Sequence, residues 1–190
     1  MKRDFAAVLL AGGASTRMGS PKAMLDAGGV PLWLRQAEML SSLGPSELVI
    51  SAGADWEPGP CPWTVVRDRV PGLGPIGGID AALGATCAEW LLVLAVDLPA
   101  MSADFLSGLI ESAGPMGEVP VDQGLFEGLA ALYPRSIQPL VADALAGPDR
   151  SVQGLVGRAV AEGLVTARPV AGAERLLFRN VNRPSDLPVQ

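Results

Sequence analysis

The sequence predicts an α/β chain of three layers, α/β/α, with a mostly parallel central sheet, and three observations carry that prediction. Apolar runs of strand length alternate with helix-length segments. One run, Leu91-Leu92-Val93-Leu94-Ala95-Val96, is apolar without interruption, as a central strand buried on both faces requires. Glycine, proline and charged residues gather just after the strand-like runs, where open α/β sheets bind ligands.

The elements follow in order. A first strand, Phe5–Leu10, is cut off by Ala11-Gly12-Gly13. Residues 31–42 read as a helix opened by proline, with Leu32, Gln36, Met39 and Leu43 spaced for one face. Strands are expected at 47–51, 64–66, 90–96 and 129–133, the first two separated by a Gly- and Pro-rich stretch at 53–62. Ser102-Ala103-Asp104 is a capping signal for a helix at 102–112. Ile137, Leu140, Val141 and Leu145 give helical spacing to 135–145. With no internal repeat, low-complexity tract or dividing linker, residues 1–190 are expected to form a single domain.

Composition narrows the function. A chain of 190 residues with 49% hydrophobic content can build one full core. A net charge of −6 without a basic patch argues against nucleic acid and against anionic membrane as partners, so an anionic ligand needs a local device. Met1-Lys2-Arg3 before an apolar stretch has the form of a signal peptide, but Asp4 interrupts it and Gly12-Gly13 end it early. No run reaches the length of a membrane span, and a reduced, cytoplasmic setting fits Cys61 and Cys87, which stand far apart. There is no histidine, which removes Ser-His-Asp triads, Cys-His pairs and histidine acids or bases. Catalysis by such a chain must be mainly electrostatic.

The stretch at 10–22 has the make-up of a phosphate trap. After the strand come Gly12 and Gly13, which let backbone N–H groups approach an oxyanion, then Ser15, Thr16, the planar fork of Arg17 and the mobile charge of Lys22. The spacing is neither that of a Walker loop nor a dinucleotide fingerprint. A plain turn with solvated cations is the alternative reading of the same residues.

These residues, with three further segments, carry a resemblance. Leu10-Ala11-Gly12-Gly13-x-Ser15-x-Arg17-Met18-Gly19-x-x-Lys22, Arg67-Asp68 with Gly74-Pro75-Ile76-x-Gly78-Ile79, Val96-Asp97-Leu98-Pro99, and Asn180-Val181-Asn182-x-Pro184 occur in this order over nearly the whole chain. In this the chain resembles the molybdenum cofactor guanylyltransferases, within the wider group of sugar-nucleotide-type nucleotidyltransferases. The resemblance implies a Rossmann-like nucleotidyltransferase fold and transfer of GMP from GTP to the terminal phosphate of molybdopterin, with release of pyrophosphate. Relatives that use CTP tend to carry Ala-Ala-Gly in the first loop, so Ala11-Gly12-Gly13 favours guanine. Other outcomes of the same fold are a cytidylyltransferase for the same cofactor, a sugar- or polyol-phosphate nucleotidyltransferase, and a nucleotide-binding protein without catalysis.

Roles follow from the resemblance joined to the chemistry. Arg17 and Lys22 would act on the phosphates in catalysis. Leu10, Ala11, Gly12, Gly13, Ser15, Lys22, Ser51, Asp68, Gly78 and Asp97 would surround the nucleotide. Asp97, expected at the sheet's C-terminal edge, is the candidate Mg²⁺ ligand; the same residue could instead begin a turn before Pro99 or cap the next helix. Asp68 could lie beside the nucleotide or in a solvated Arg67-Asp68-Arg69 cluster. Asn180 and Asn182 could bond the acceptor or serve as turn residues. A protein partner that delivers or receives the labile pterin would also be expected. Two positions depart from the family pattern: Ser51, where relatives often place asparagine, and Glu127-Gly128, where they commonly show His-Pro.

Overall fold

A computed structural model describes residues 3–12, 21–53, 56–67 and 72–181. Gly13, Ser15, Arg17, Asp68 and Asn182 lie outside the described residues. In chain order the elements are β1 (Phe5–Leu10), α1 (Leu32–Ser42), β2 (Glu47–Ala52), β3 (Thr64–Arg67), α2 (Gly74–Ala85), β4 (Trp90–Ala95), α3 (Ala103–Ser112), β5 (Gly117–Asp122), β6 (Leu125–Phe126), β7 (Ala130–Pro134), α4 (Gln138–Ala146), α5 (Val152–Ala161) and β8 (Val165–Pro169). Short 3-10 turns occupy Lys22–Met24, Arg135–Ile137 and Glu174–Phe178.

All the strands join one sheet in the order β3-β2-β1-β4-β7-β5-β6, with β8 paired to β5. β1 pairs in parallel with both β2 and β4, so the chain runs outward one way from β1 and then returns to its other side. That reversal makes the gap between the C-terminal ends of β1 and β4 the topological switch point, where open α/β sheets bind ligands.

Successive strand residues point to opposite faces, and both faces are apolar. Phe5, Ala7 and Leu9 of β1, with Ile50, Leu92 and Leu94, pack against Leu32, Ala37 and Leu40 of α1 and Phe105, Leu106 and Leu109 of α3. The alternate residues Ala6, Val8 and Leu10, with Val49, Leu91 and Val93, meet Ile76, Ile79 and Leu83 of α2, Val141 of α4 and Val156 of α5. Three layers result, and the uninterrupted apolar run of β4 is mid-sheet between β1 and β7.

The sheet is mostly parallel, as the sequence predicts, and it holds details and elements that the sequence does not predict, α5 among them. β7 runs antiparallel to β4, and β6 antiparallel to β5, so the sheet is mixed beyond β4. Three strands, β5, β6 and β8, stand where no strand was expected. β5 carries Glu118 and Pro120, which break an apolar run; Glu118 is nevertheless buried, accepting a hydrogen bond from Ser112 Oγ at 2.8 Å and facing Arg168 Nε at 3.8 Å. The stretch from Gly74 is helix α2, for which the sequence carries no helical expectation; Pro75 opens its first turn. The expected cap is present, with Ser102 Oγ accepting from the Phe105 N–H at 3.2 Å. Phe5–Leu10 forms β1, buried throughout. Among the described residues, no helix is long and apolar enough to cross a membrane.

Candidate active site

The ends of β1 and β2 are clasped. Ala11 and Gly12 both donate their N–H groups to the Ser51 carbonyl, at 2.9 and 3.0 Å, and Val96 donates to the Leu10 carbonyl at 3.0 Å. The first two N–H groups after β1 are therefore used by the sheet, which corrects the expectation that Gly12 turns its N–H toward an oxyanion. Gly12 answers a spatial need instead. A Cβ there would lie 2.8 Å from the Gly53 nitrogen and 3.0 Å from its Cα, both backbone atoms that cannot rotate away. Trp56 completes the clasp, its Nε1–H donating to the Ala11 carbonyl at 2.9 Å, and its ring leans on Trp33 with centroids 5.6 Å apart. Gly78 serves packing in the same way: a Cβ would come within 2.6 Å of Ser51 Oγ and 2.8 Å of Leu10 Cδ2, so its absence lets α2 settle against the ends of β1 and β2.

Across the switch point stand Lys22 and Asp97. Lys22 begins the 3-10 turn whose Ala23 is fully buried, and Asp97 stands in the turn just after β4, with Val96 between. Lys22 Nζ donates to Asp97 Oδ2 at 3.2 Å, with each side chain 27% exposed. The Asp97 turn is fixed from both sides. Its carbonyl accepts from the Val181 N–H at 2.8 Å, and the neighbouring Leu98 carbonyl accepts from Nε2 of the buried Gln36 at 2.6 Å. Asp97 thus lies in a turn, and Ser102 rather than Asp97 caps the following helix.

Beyond Asp97, on the side away from β1, lies a cleft of about 220 Å³ bordered by Asp97, Glu127, Gly128, Gln153 and Asn180. Its floor is pinned from several directions. The Glu127 N–H donates to the Pro120 carbonyl, its carbonyl accepts from Ala130, and the Leu129 carbonyl accepts from Ala95. Buried Tyr133 donates its hydroxyl to the Gly128 carbonyl at 2.7 Å, and burial pushes this phenol's ionisation far up. A Cβ on Gly128 would lie 2.6 Å from Val152 Cγ1 and 2.8 Å from the Tyr133 hydroxyl. Gln153 pairs like a strand with Phe126, accepting from its N–H at 3.0 Å and donating to its carbonyl at 2.7 Å. Burial, and then the Asp122 charge, push the Glu127 carboxyl above the ordinary glutamate range. A second hollow, about 410 Å³ between α4 and α5, shares no lining residue with this site.

Of the expected site residues, the structure brings Leu10, Ala11, Gly12, Ser51 and Gly78 together at one side of the switch point, and Lys22, Asp97 and Asn180 at the other. Arg67 is exposed, donating to the Gly53 carbonyl at 3.0 Å and pairing with Glu57 in solvent. Sequence reasoning missed Trp56, Gln153 and Tyr133 as fasteners of the rim. Only the Gly- and Pro-rich setting of Trp56 hinted at any of them.

The family described as the MobA-like NTP transferase domain matches residues 7–165, which contain the clasped strand ends, Lys22 and Asp97. The chain belongs to the MobA-like NTP transferase family. A probable molybdenum cofactor guanylyltransferase of Opitutus terrae is 35% identical over 185 residues, covering 95% of this chain and 92% of that protein. One from Deinococcus radiodurans is 34% identical over 185 residues, covering 95% and 91%. Among solved structures, molybdopterin-guanine dinucleotide biosynthesis protein A from Archaeoglobus fulgidus superposes with a TM-score of 0.72 at 25% identity, covering 96% of this chain and 94% of that one. A Methanothermobacter nucleotidyl transferase, TM-score 0.73 at 19% identity over 96% of this chain and 94% of that one, shares the fold. The three-layer nucleotidyltransferase fold read from the sequence is the fold found.

Within this MobA-like chain the two departures have structural settings. Ser51 is buried at the end of β2, beneath the side of α2 that Gly78 opens. Gly128 stands where Val152, Val156 and Tyr133 leave no room for a Cβ, so a residue with a side chain requires that contact to be rebuilt.

Proposed function

We propose that this chain transfers GMP from GTP to the terminal phosphate of molybdopterin, releasing pyrophosphate, in the presence of Mg²⁺. The observation that carries the reading is the placement of Lys22 and Asp97, 3.2 Å apart, at the switch point, with a clasped strand end on one side and a cleft on the other. A donor nucleotide and an acceptor then meet over the same two side chains. The names of the relatives support guanine and molybdopterin as substrates.

The site residues fit a magnesium ion. Asp97 offers a hard oxygen donor at the sheet edge. Magnesium commonly takes one or two protein carboxylates and completes its shell with water and phosphate. When bound, it would neutralise charge on the phosphate oxygens.

The chain's own groups do the rest. Leu10, Ala11, Gly12, Ser51 and Gly78 form a rigid seat for the nucleotide, and Gly13, Ser15 and Asp68 are assigned to it as well. Lys22 and Arg17 hold and neutralise the phosphates as pyrophosphate leaves. The attacking group is a phosphate whose second pKa lies near ~6, so it is ionised without a protein base. A histidine-free chain suits that chemistry. Asn180 and Asn182 take the acceptor side. Free Cys61 and Cys87 accord with a reducing cytoplasm, and a protein partner would receive the pterin product.

Thermal shift with GTP, CTP and ATP, each with Mg²⁺, tests the donor. GTP at 100 times its dissociation constant should stabilise by about 2.7 kcal/mol. A shift with CTP alone would overturn the assignment of guanine.

A further inference from the structure

Glu127 is a half-buried carboxylate without a fastening role. Its backbone is fixed at both ends by the Pro120 and Ala130 hydrogen bonds, yet among the described residues nothing donates a hydrogen bond to its side chain. Of its polar neighbours around the cleft, Gln153 has both ends of its amide engaged with Phe126, and Asp97 faces Lys22. That leaves Glu127 and Asn180 to meet a ligand. At about 220 Å³ the cleft lies below the roughly 300–1,000 Å³ of drug-sized sites, and suits one small ring system.

Charge sets the orientation. A carboxylate repels a phosphate, so the end of the acceptor nearest Glu127 must be uncharged and rich in N–H donors, while its phosphate turns toward Lys22. The 2-amino-4-oxo edge of a pterin presents two parallel N–H donors, the pattern a carboxylate accepts in a bidentate pair. Guanine presents the same edge, but its seat lies at the end of β2. β2 is separated from β7 by β1 and β4, three strand spacings or about 14 Å. We propose that Glu127 is the residue that recognises the acceptor's pterin ring, by accepting both N–H groups of its 2-amino-4-oxo edge. The inference rests on the molybdopterin reading above.

The test uses two small probes, pterin with its 2-amino-4-oxo edge and lumazine with a 2,4-dioxo edge, as inhibitors of molybdopterin turnover and as ligands in calorimetry. In the wild type, pterin should bind at least about tenfold tighter than lumazine and compete with molybdopterin but not with GTP. In Glu127→Gln the side chain gains a donor, so the preference should fall by about tenfold or turn toward lumazine. Its KM for molybdopterin should rise while the GTP-induced thermal shift stays intact, which shows that the variant is folded. Equal binding of the two probes to the wild type would overturn the inference, as would a preference that Glu127→Gln leaves unchanged. Competition with GTP would instead place the recognised edge on the nucleotide and also count against it. Failure of the molybdopterin reading is separately visible, as GTP binding without turnover of molybdopterin, and calorimetry with the two probes still reads Glu127 in that event.

Discussion

Replacing Gly12 by alanine tests the clasp at the end of β1. The added Cβ would sit 2.8 Å from the Gly53 nitrogen, and reaching an ordinary contact of 3.4 Å requires the two backbones to part by roughly 0.6 Å. The Ala11 and Gly12 hydrogen bonds to Ser51 and the Trp56 bond to Ala11 cross that same gap, so they lengthen together. Overpacking of this kind costs about 1–3 kcal/mol. For a chain of this size each kcal/mol is about 2–4 °C in Tm, so a fall of roughly 2–12 °C is expected. The seat for the nucleotide is displaced by the same movement, and the GTP-induced thermal shift should shrink. Circular dichroism melts with and without GTP and Mg²⁺ measure both effects. Gly157→Ala in α5 is the control, because a Cβ there meets nothing within 4 Å and helix propensity should raise stability by about 0.8–1 kcal/mol. A Gly12→Ala protein with unchanged Tm and unchanged GTP response would refute the clasp.

Asp97→Asn should separate catalysis from stability. The ion pair with Lys22 is partly exposed and worth about 0–1 kcal/mol, so Tm should move little while turnover falls by about 10²–10³. Tyr133→Phe leaves the Gly128 carbonyl without its hydroxyl donor and should cost about 1–3 kcal/mol by denaturant titration, raising KM for the acceptor and sparing GTP binding. Glu127 holds its proton more tightly folded than unfolded, so the stability linked to that proton is present at low pH and lost as pH rises through the folded value. Glu127→Gln should accordingly melt higher than the wild type at pH 7, and the difference should vanish below about pH 4 in paired melts.

What the sequence reveals of this fold depends on how each element is buried. β1, β2 and β4 are covered on both faces, so they need continuous apolar runs and are legible. β5 satisfies Glu118 with Ser112 and Arg168, partners distant in the chain or in another element, so its burial leaves no apolar run to read. α2 hides its helix behind glycines that the packing against Ser51 and Leu10 requires. At the candidate site, Lys22 and Asp97 stand out in the sequence because charge near the end of a buried strand is conspicuous, and the structure brings the two within 3.2 Å. Trp56, Gln153 and Tyr133 were not, because their importance lies in hydrogen bonds to backbone that only the tertiary structure defines. The sequence suggests an oxyanion as the reason for glycine at position 12; close approach to Gly53 is the reason the structure gives.

The most direct test of the central claim is the stoichiometry of pyrophosphate release by the wild-type protein supplied with GTP, Mg²⁺ and molybdopterin. One pyrophosphate should appear for each molybdopterin converted to its guanine dinucleotide, with none when molybdopterin is omitted, and Lys22→Ala should be slower by at least about a hundredfold. Pyrophosphate made without the acceptor, or a Lys22→Ala rate within a few-fold of the wild type, would contradict the account.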